Sequence, residues 1–130
     1  MSKTLLLVLL VIVITPSLAF GQSDFPTFWG KFKSAVQRND KASVKSLMAP
    51  RFEWALDGYV SRDEAWGYFA EQKRYWLGMR EAVNRKPIGC KDHYCNNRSG
   101  YHIWSSRKFG LEIMFERIGG SWRWSALLGD

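Results

Sequence analysis

Two glycines near the C-terminus constrain this chain more than any other feature. Gly119 and Gly120 separate two apolar runs. Before them, Phe109, Leu111, Ile113 and Phe115 alternate with Gly110, Glu112, Met114 and Glu116; after them, Trp122, Trp124, Ala126 and Leu128 fall on one side. Alternation at period two marks a half-buried strand, and a two-glycine loop between two such runs marks a hairpin. The loop length sets Ile118 opposite Ser121, Glu116 opposite Arg123, Phe115 opposite Trp124 and Ile113 opposite Ala126. Charged and apolar pairs then take opposite faces, and a slip of one residue would set charge against core. Glu112 and Glu116 are expected on a solvated face, with Glu116 ion-paired to Arg123. A further strand is expected over 101–106.

Upstream the period changes to that of a helix. Ser23-Asp24 before Pro26 reads as a helix start, and Phe28, Trp29, Phe32, Ala35 and Val36 carry an amphipathic helix to about Arg38. Asn39-Asp40 ends it, and Asp40 can cap a short second helix carrying Val44, Leu47 and Met48, stopped by Pro50. Residues 52–56 alternate as a strand before the Asp57-Gly58 turn signal. Ser61-Arg62-Asp63-Glu64 is a capping box. The helix it opens carries Ala65, Phe69, Trp76, Met79 and Val83 at steps of four and three, and is expected to run unbroken over 62–83.

The first 21 residues read as a signal peptide: Lys3, an apolar run over 5–14, and the small residues Ala19 and Gly21 before the cleavage point. Ten apolar residues fall short of the roughly 20 that span a bilayer. The expected product is a secreted or periplasmic single domain, residues 22–130. The chain carries a formal net charge of +7, which loss of Lys3 lowers to +6. Its basic residues are scattered, as ordinary solubility charge would be. Arg117, Arg123, Trp122 and Lys108 come nearest to a basic-aromatic surface, and an Arg–Trp contact at a sheet edge explains them as well. No nucleic-acid partner is expected.

Cys90 and Cys95 are the two cysteines, and in an exported protein a close pair reads first as a disulfide. A zinc centre wants four ligands, and His93 and His102 are the histidines that could join the thiols. No metal is expected. Closing so short a loop stabilises by about 2 kcal/mol on the chain-entropy estimate, pinning a local excursion rather than the domain.

Several segments carry a resemblance: residues 28–36, 39–44 and 61–64, Met114-Phe115-Glu116, and Gly120-Ser121-Trp122-Arg123-Trp124. In this order the chain resembles small secreted members of the nuclear transport factor 2-like, or SnoaL-like, superfamily. The resemblance implies an α+β fold with a cone-like curved antiparallel sheet packed on a long helix, two N-terminal helices, and a pocket at the open end. Such folds host enzymes and non-catalytic binders alike. It also implies that a homodimer through the sheet face is open to this chain. No catalytic motif of the family is matched residue by residue.

The expected function is therefore non-catalytic binding of a small apolar or amphipathic ligand or a protein partner, with Tyr101, His102, Trp76 and Trp104 as the lining candidates. The alternative is a small isomerase, dehydratase or hydrolase. It would use His102 as general base, oriented by a carboxylate such as Asp57, with Tyr68 or Tyr101 donating a hydrogen bond. Against that stands His102 as a polar residue alternating outward on its strand. No nucleophile elbow, phosphate loop or dinucleotide fingerprint is present, and no cofactor is expected.

Overall fold

The computed structural model describes residues 24–55, 57–90, 95 and 99–129. The leader expected over 1–21 lies outside them, as do His93 and its neighbours in the disulfide loop. The elements run α1 (Phe25–Gln37), α2 (Lys41–Ser46), β1 (Met48–Trp54), β2 (Gly58–Ser61), α3 (Arg62–Glu71), α4 (Lys73–Ala82), β3 (Ile88–Gly89), β4 (Tyr101–Trp104), β5 (Leu111–Ile118) and β6 (Ser121–Gly129). The six strands form one curved, open sheet in the order β2-β1-β6-β5-β4-β3, with helices against one face: an α+β cone.

The helix starts follow local chemistry. Asp24 accepts from the Thr27 amide at 3.1 Å, Asp40 from the Ser43 amide at 3.2 Å, and the Ser61 hydroxyl from the Glu64 amide at 3.2 Å. Asn39 takes the left-handed conformation, φ 56°, at the corner between α1 and α2. The second helix is shorter than expected. It stops at Ser46, and Met48 already belongs to β1. Pro50 lies inside β1, in the gap between Met48 and Glu53 where the β1–β6 ladder is interrupted. A residue without an amide proton is tolerated at such a gap.

The hairpin register holds at its tip and fails beyond it. Ile118 faces Ser121, Glu116 faces Arg123 and Phe115 faces Trp124, with both loop glycines at positive φ. Ile113, however, faces Leu127 rather than Ala126, because Ser125 is an extra residue in β6 opposite the Met114–Phe115 step. This bulge turns Trp124 and Leu127 into the main core and sends Ala126 and Leu128 to the other face. The Trp124 indole donates to the Ala126 carbonyl at 2.9 Å, and the Ser125 hydroxyl to the Met114 carbonyl at 3.3 Å. The β1–β6 pair is parallel and every other pair antiparallel.

The helix expected over 62–83 is broken. Gln72 is extended (φ −116°, ψ 107°) between α3 and α4. Neither glycine nor proline stands there. Residues 71–74 are all polar, so no apolar side chain anchors the helix to the core across this turn. The break is favoured by packing on either side. Phe69 and Trp76, two turns apart, would be separated by about 10.5 Å along a continuous axis. Their ring centroids lie 5.8 Å apart, and Tyr75 stacks on Phe69 at 6.4 Å.

Both faces of β5 are covered. Glu112 and Met114, expected on the solvated side, are buried along with Leu111, Ile113 and Phe115. The cover is the disulfide corner: Cys95 packs on Met114 and Ala126, with Cys90 and Leu128 beside them. The Cys90 amide donates to the Gly100 carbonyl at 2.8 Å, continuing the β3–β4 pairing by one step. The Glu116–Arg123 ion pair is replaced by another contact, since Arg123 donates to the Ser46 carbonyl at 3.1 Å, beside the end of α2.

Candidate functional site

The interior of the cone is filled by aromatic rings. Phe115 is fully buried and has Phe25, Phe28, Trp29 and Phe32 within 5.0–5.8 Å; Trp124 has Phe32, Phe52 and Phe69 within 5.0–5.7 Å. A remnant of about 30 Å³ is left between Trp54, Tyr75, Leu111 and Leu127. That volume holds about one water, not a ligand.

The four expected lining residues do not meet in one place. Tyr101 is on the inner face, its ring stacked on Phe25 at 3.7 Å and 4°. His102 and Trp104 alternate to the outer face: His102 is 7% exposed under the disulfide corner, and Trp104 is 49% exposed beside it, their rings 6.2 Å apart. Trp76 is on α4, packed on the main core with its ring against Phe69. Asp57 lies in the β1–β2 turn and β4 is three strands away, roughly 14 Å at the usual strand spacing. It cannot orient His102. Tyr68 donates its hydroxyl to Glu64 at 2.9 Å, and that hydrogen bond raises its pKa above the ordinary phenol value.

A cleft of about 370 Å³ opens where α3 breaks from α4, lined by Lys41, Trp66, Phe69, Glu71, Gln72, Lys73 and Trp76 with Ala70. Trp66 stacks against Phe69 at 5.5 Å, and the Trp76 ring meets Phe69 edge-on at 5.8 Å. The Trp76 indole is held in place by donating to Asn39 at 3.0 Å, and the Lys41 ammonium lies 5.4 Å from its ring centroid. The cleft lies at the helix break, and the hydrogen bond from Trp76 to Asn39 fixes the indole beside it. Phe69 was expected in the core stripe of the helix, and Lys41, Gln72 and Lys73 were not singled out from sequence. The available signal was the polar run over 71–74 inside an otherwise periodic helix.

A second, wider groove of about 600 Å³ lies between α1 and α2. Its walls are Thr27, Ser34, Ser43 and Ser46 hydroxyls with Lys31 and Arg38, and Ala35 and Leu47 supply its apolar surface. Such a lining mixes hydroxyls and cations with apolar surface, and it is more open to solvent than the cleft at the helix break.

At the outer corner, a His102 ring nitrogen and the sulfurs of Cys90 and Cys95 lie within 4.8 Å of one another. The cysteines are joined as a disulfide with Cα atoms 5.7 Å apart. Nδ1 of His102 is buried and has no hydrogen-bond partner among the described residues. Burial holds its pKa below the ordinary imidazole value, which keeps the ring neutral.

Fold and cleft together define a small α+β cone domain with ligand-sized concavities on its helical side. No family model and no curated protein matches the chain. Among solved structures it is similar to a designed nuclear transport factor 2-like protein, at 14% identity and a TM-score of 0.45, over 81% of this chain and 95% of that one. Among the described residues, no helix is long and apolar enough to cross a membrane.

Proposed function

We propose that this domain is exported and acts as a non-catalytic binder of a small amphipathic ligand, which it takes in the cleft at the break between α3 and α4. One observation carries the reading: Trp66 and Trp76 are half-buried on either side of Phe69 in a concavity of about 370 Å³, beneath Lys41. Ligand sites are typically concave, largely apolar and on the order of 300–1,000 Å³. The cone interior, with its remnant of about 30 Å³, falls tenfold short of that range. Lys41 and Lys73 against Glu71 leave the lining one positive charge in excess, which suits an aromatic or apolar body with an acidic head.

The test is titration with 2-naphthoate, an aromatic carboxylate, followed by indole N–H resonances in ¹⁵N NMR spectra. Shifts are expected at Trp66 and Trp76. Trp76→Ala should weaken binding about tenfold, equivalent to 1.4 kcal/mol, and Trp104→Ala should leave it unchanged. Uncharged naphthalene should bind more weakly than the carboxylate. Shifts centred on Trp104, or saturable binding that ignores Trp76→Ala, would place the site elsewhere.

A further inference from the structure

The disulfide corner holds an assembly that ligand binding at the helix break does not use. Two sulfurs and an imidazole nitrogen lie within 4.8 Å of one another, on the outer face of β4 and β5. His102 is more than nine-tenths buried, yet its Nδ1 has no hydrogen-bond partner among the described residues. A buried polar atom left in this way costs stability and calls for an explanation in function. Met114 stands directly opposite His102 in the β4–β5 ladder and packs on Cys95. The imidazole thus lies beside two cysteine sulfurs, with a methionine paired across the ladder and the Trp104 ring 6.2 Å away.

We propose that reduction of the Cys90–Cys95 disulfide turns this corner into a site for a monovalent soft metal ion, Cu(I), bound by the two thiolates and His102 with Met114 alongside. A three-coordinate ion with bonds of about 2.0 Å to nitrogen and 2.3 Å to sulfur sets its donors roughly 3.7–4.0 Å apart. The imidazole already lies within 4.8 Å of both sulfurs, and the sulfurs separate to that distance once the bond between them is gone. Rotation about the Cα–Cβ bonds supplies the movement, because Cα atoms 5.7 Å apart suit two thiolates on one ion.

Soft thiolate and thioether donors select Cu(I). Zn(II) on the same three donors would need a water to complete its tetrahedron, whereas Cu(I) is satisfied by three soft or borderline donors. Ligation also needs a neutral imidazole. Cys90 is half-exposed, so an ion can enter at that sulfur.

The chemistry requires a dithiol reductant. It delivers two electrons and two protons to the disulfide, the S–S bond breaks to give two thiols, and the reductant becomes its own disulfide. Binding Cu⁺ then displaces both thiol protons to solvent. The oxidised protein has no thiolate to offer, so metal affinity is switched by redox state.

The experiment uses the full-length protein from which any leader has been removed by the host. After reduction with a water-soluble phosphine under nitrogen, Cu(I) is titrated in competition with bathocuproine disulfonate. X-ray absorption at the copper edge is recorded on the product. One Cu(I) per chain with two sulfur and at least one nitrogen neighbours is expected. The oxidised protein should leave all copper with the competitor. His102→Ala should weaken binding at least about tenfold and Met114→Leu by less, with circular dichroism reporting that each variant is folded. An all-sulfur copper environment, equal affinity in oxidised and reduced protein, or indifference to His102→Ala in a folded variant would each overturn the proposal. The absorption spectrum of the wild-type protein decides the donor set even if His102→Ala fails to fold. The naphthoate titration should be unaffected by copper, so the two sites stand or fall separately.

Discussion

Ser106 donates to Glu81 twice, through its amide and through its hydroxyl, the latter at 2.9 Å. These bonds tie the last turn of α4 to the loop between β4 and β5, and Arg85 lies 3.6 Å from the same carboxylate. Partial burial raises the Glu81 pKa, but the two Ser106 hydrogen bonds and Arg85 outweigh it, so the net displacement is downward. A carboxyl whose folded pKa lies below its unfolded value stabilises the fold above the ordinary carboxylate range. That contribution is lost as pH falls through the folded value. Glu81→Gln is therefore expected to lower the urea midpoint at pH 7, with the difference from wild type shrinking towards pH 3. An equal loss at both pH values would mean that the charge is not what the loop depends on.

Phe115 should be the most costly single truncation in the hairpin. It is fully buried among the rings of Phe25, Phe28, Trp29 and Phe32. Phe115→Ala is expected to cost about 3–5 kcal/mol. Its neighbour Glu116 is on the partly exposed side with no ion pair to Arg123, and Glu116→Ala should cost less than about 1 kcal/mol. Denaturant unfolding of the two variants side by side checks the face assignment.

Gly100 should not tolerate a side chain. Its φ is +139°, and a Cβ there would overlap the Phe115 carbonyl oxygen. Gly119, also at positive φ, has open space around it. Gly100→Ala is expected to cost on the order of 2 kcal/mol or more, since the obstacle is backbone that cannot give way. Gly119→Ala should cost about 1–2 kcal/mol, from the left-handed conformation alone. Thermal unfolding should rank them in that order.

The disulfide corner should protect a methionine. Met114 is buried on the outer face by Cys95. Replacing Cys90 and Cys95 together by Ser is expected to cost about 2 kcal/mol through loop closure. It should also speed oxidation of Met114 by peroxide relative to buried Met79, read by peptide mass spectrometry. Unchanged protection of Met114 would show that the loop stays in place without the bond.

What the sequence determined by itself is what short-range chemistry decides. The caps at Asp24, Asp40 and Ser61 need residues three positions away, and the register from Ile118 to Phe115 needs a two-glycine loop with alternation on either side. Each is complete within a dozen residues, so local pattern was enough. Tertiary structure decided everything that depended on what covers a surface. Period-two alternation reports one buried face, and nothing in the run over 109–116 says that Cys95, well upstream, will pack on the other. The Ser125 bulge exists because Trp124 and Leu127 both reach the core, a demand set by rings from α1, β1 and α3. The same demand breaks the helix at Gln72, where no apolar residue resists and the rings of Phe69, Tyr75 and Trp76 close together. The cleft follows from that break, so its residues were present in the sequence while their convergence was not. Helical and strand periods record which side of an element is apolar; only packing between distant elements decides where a cavity remains.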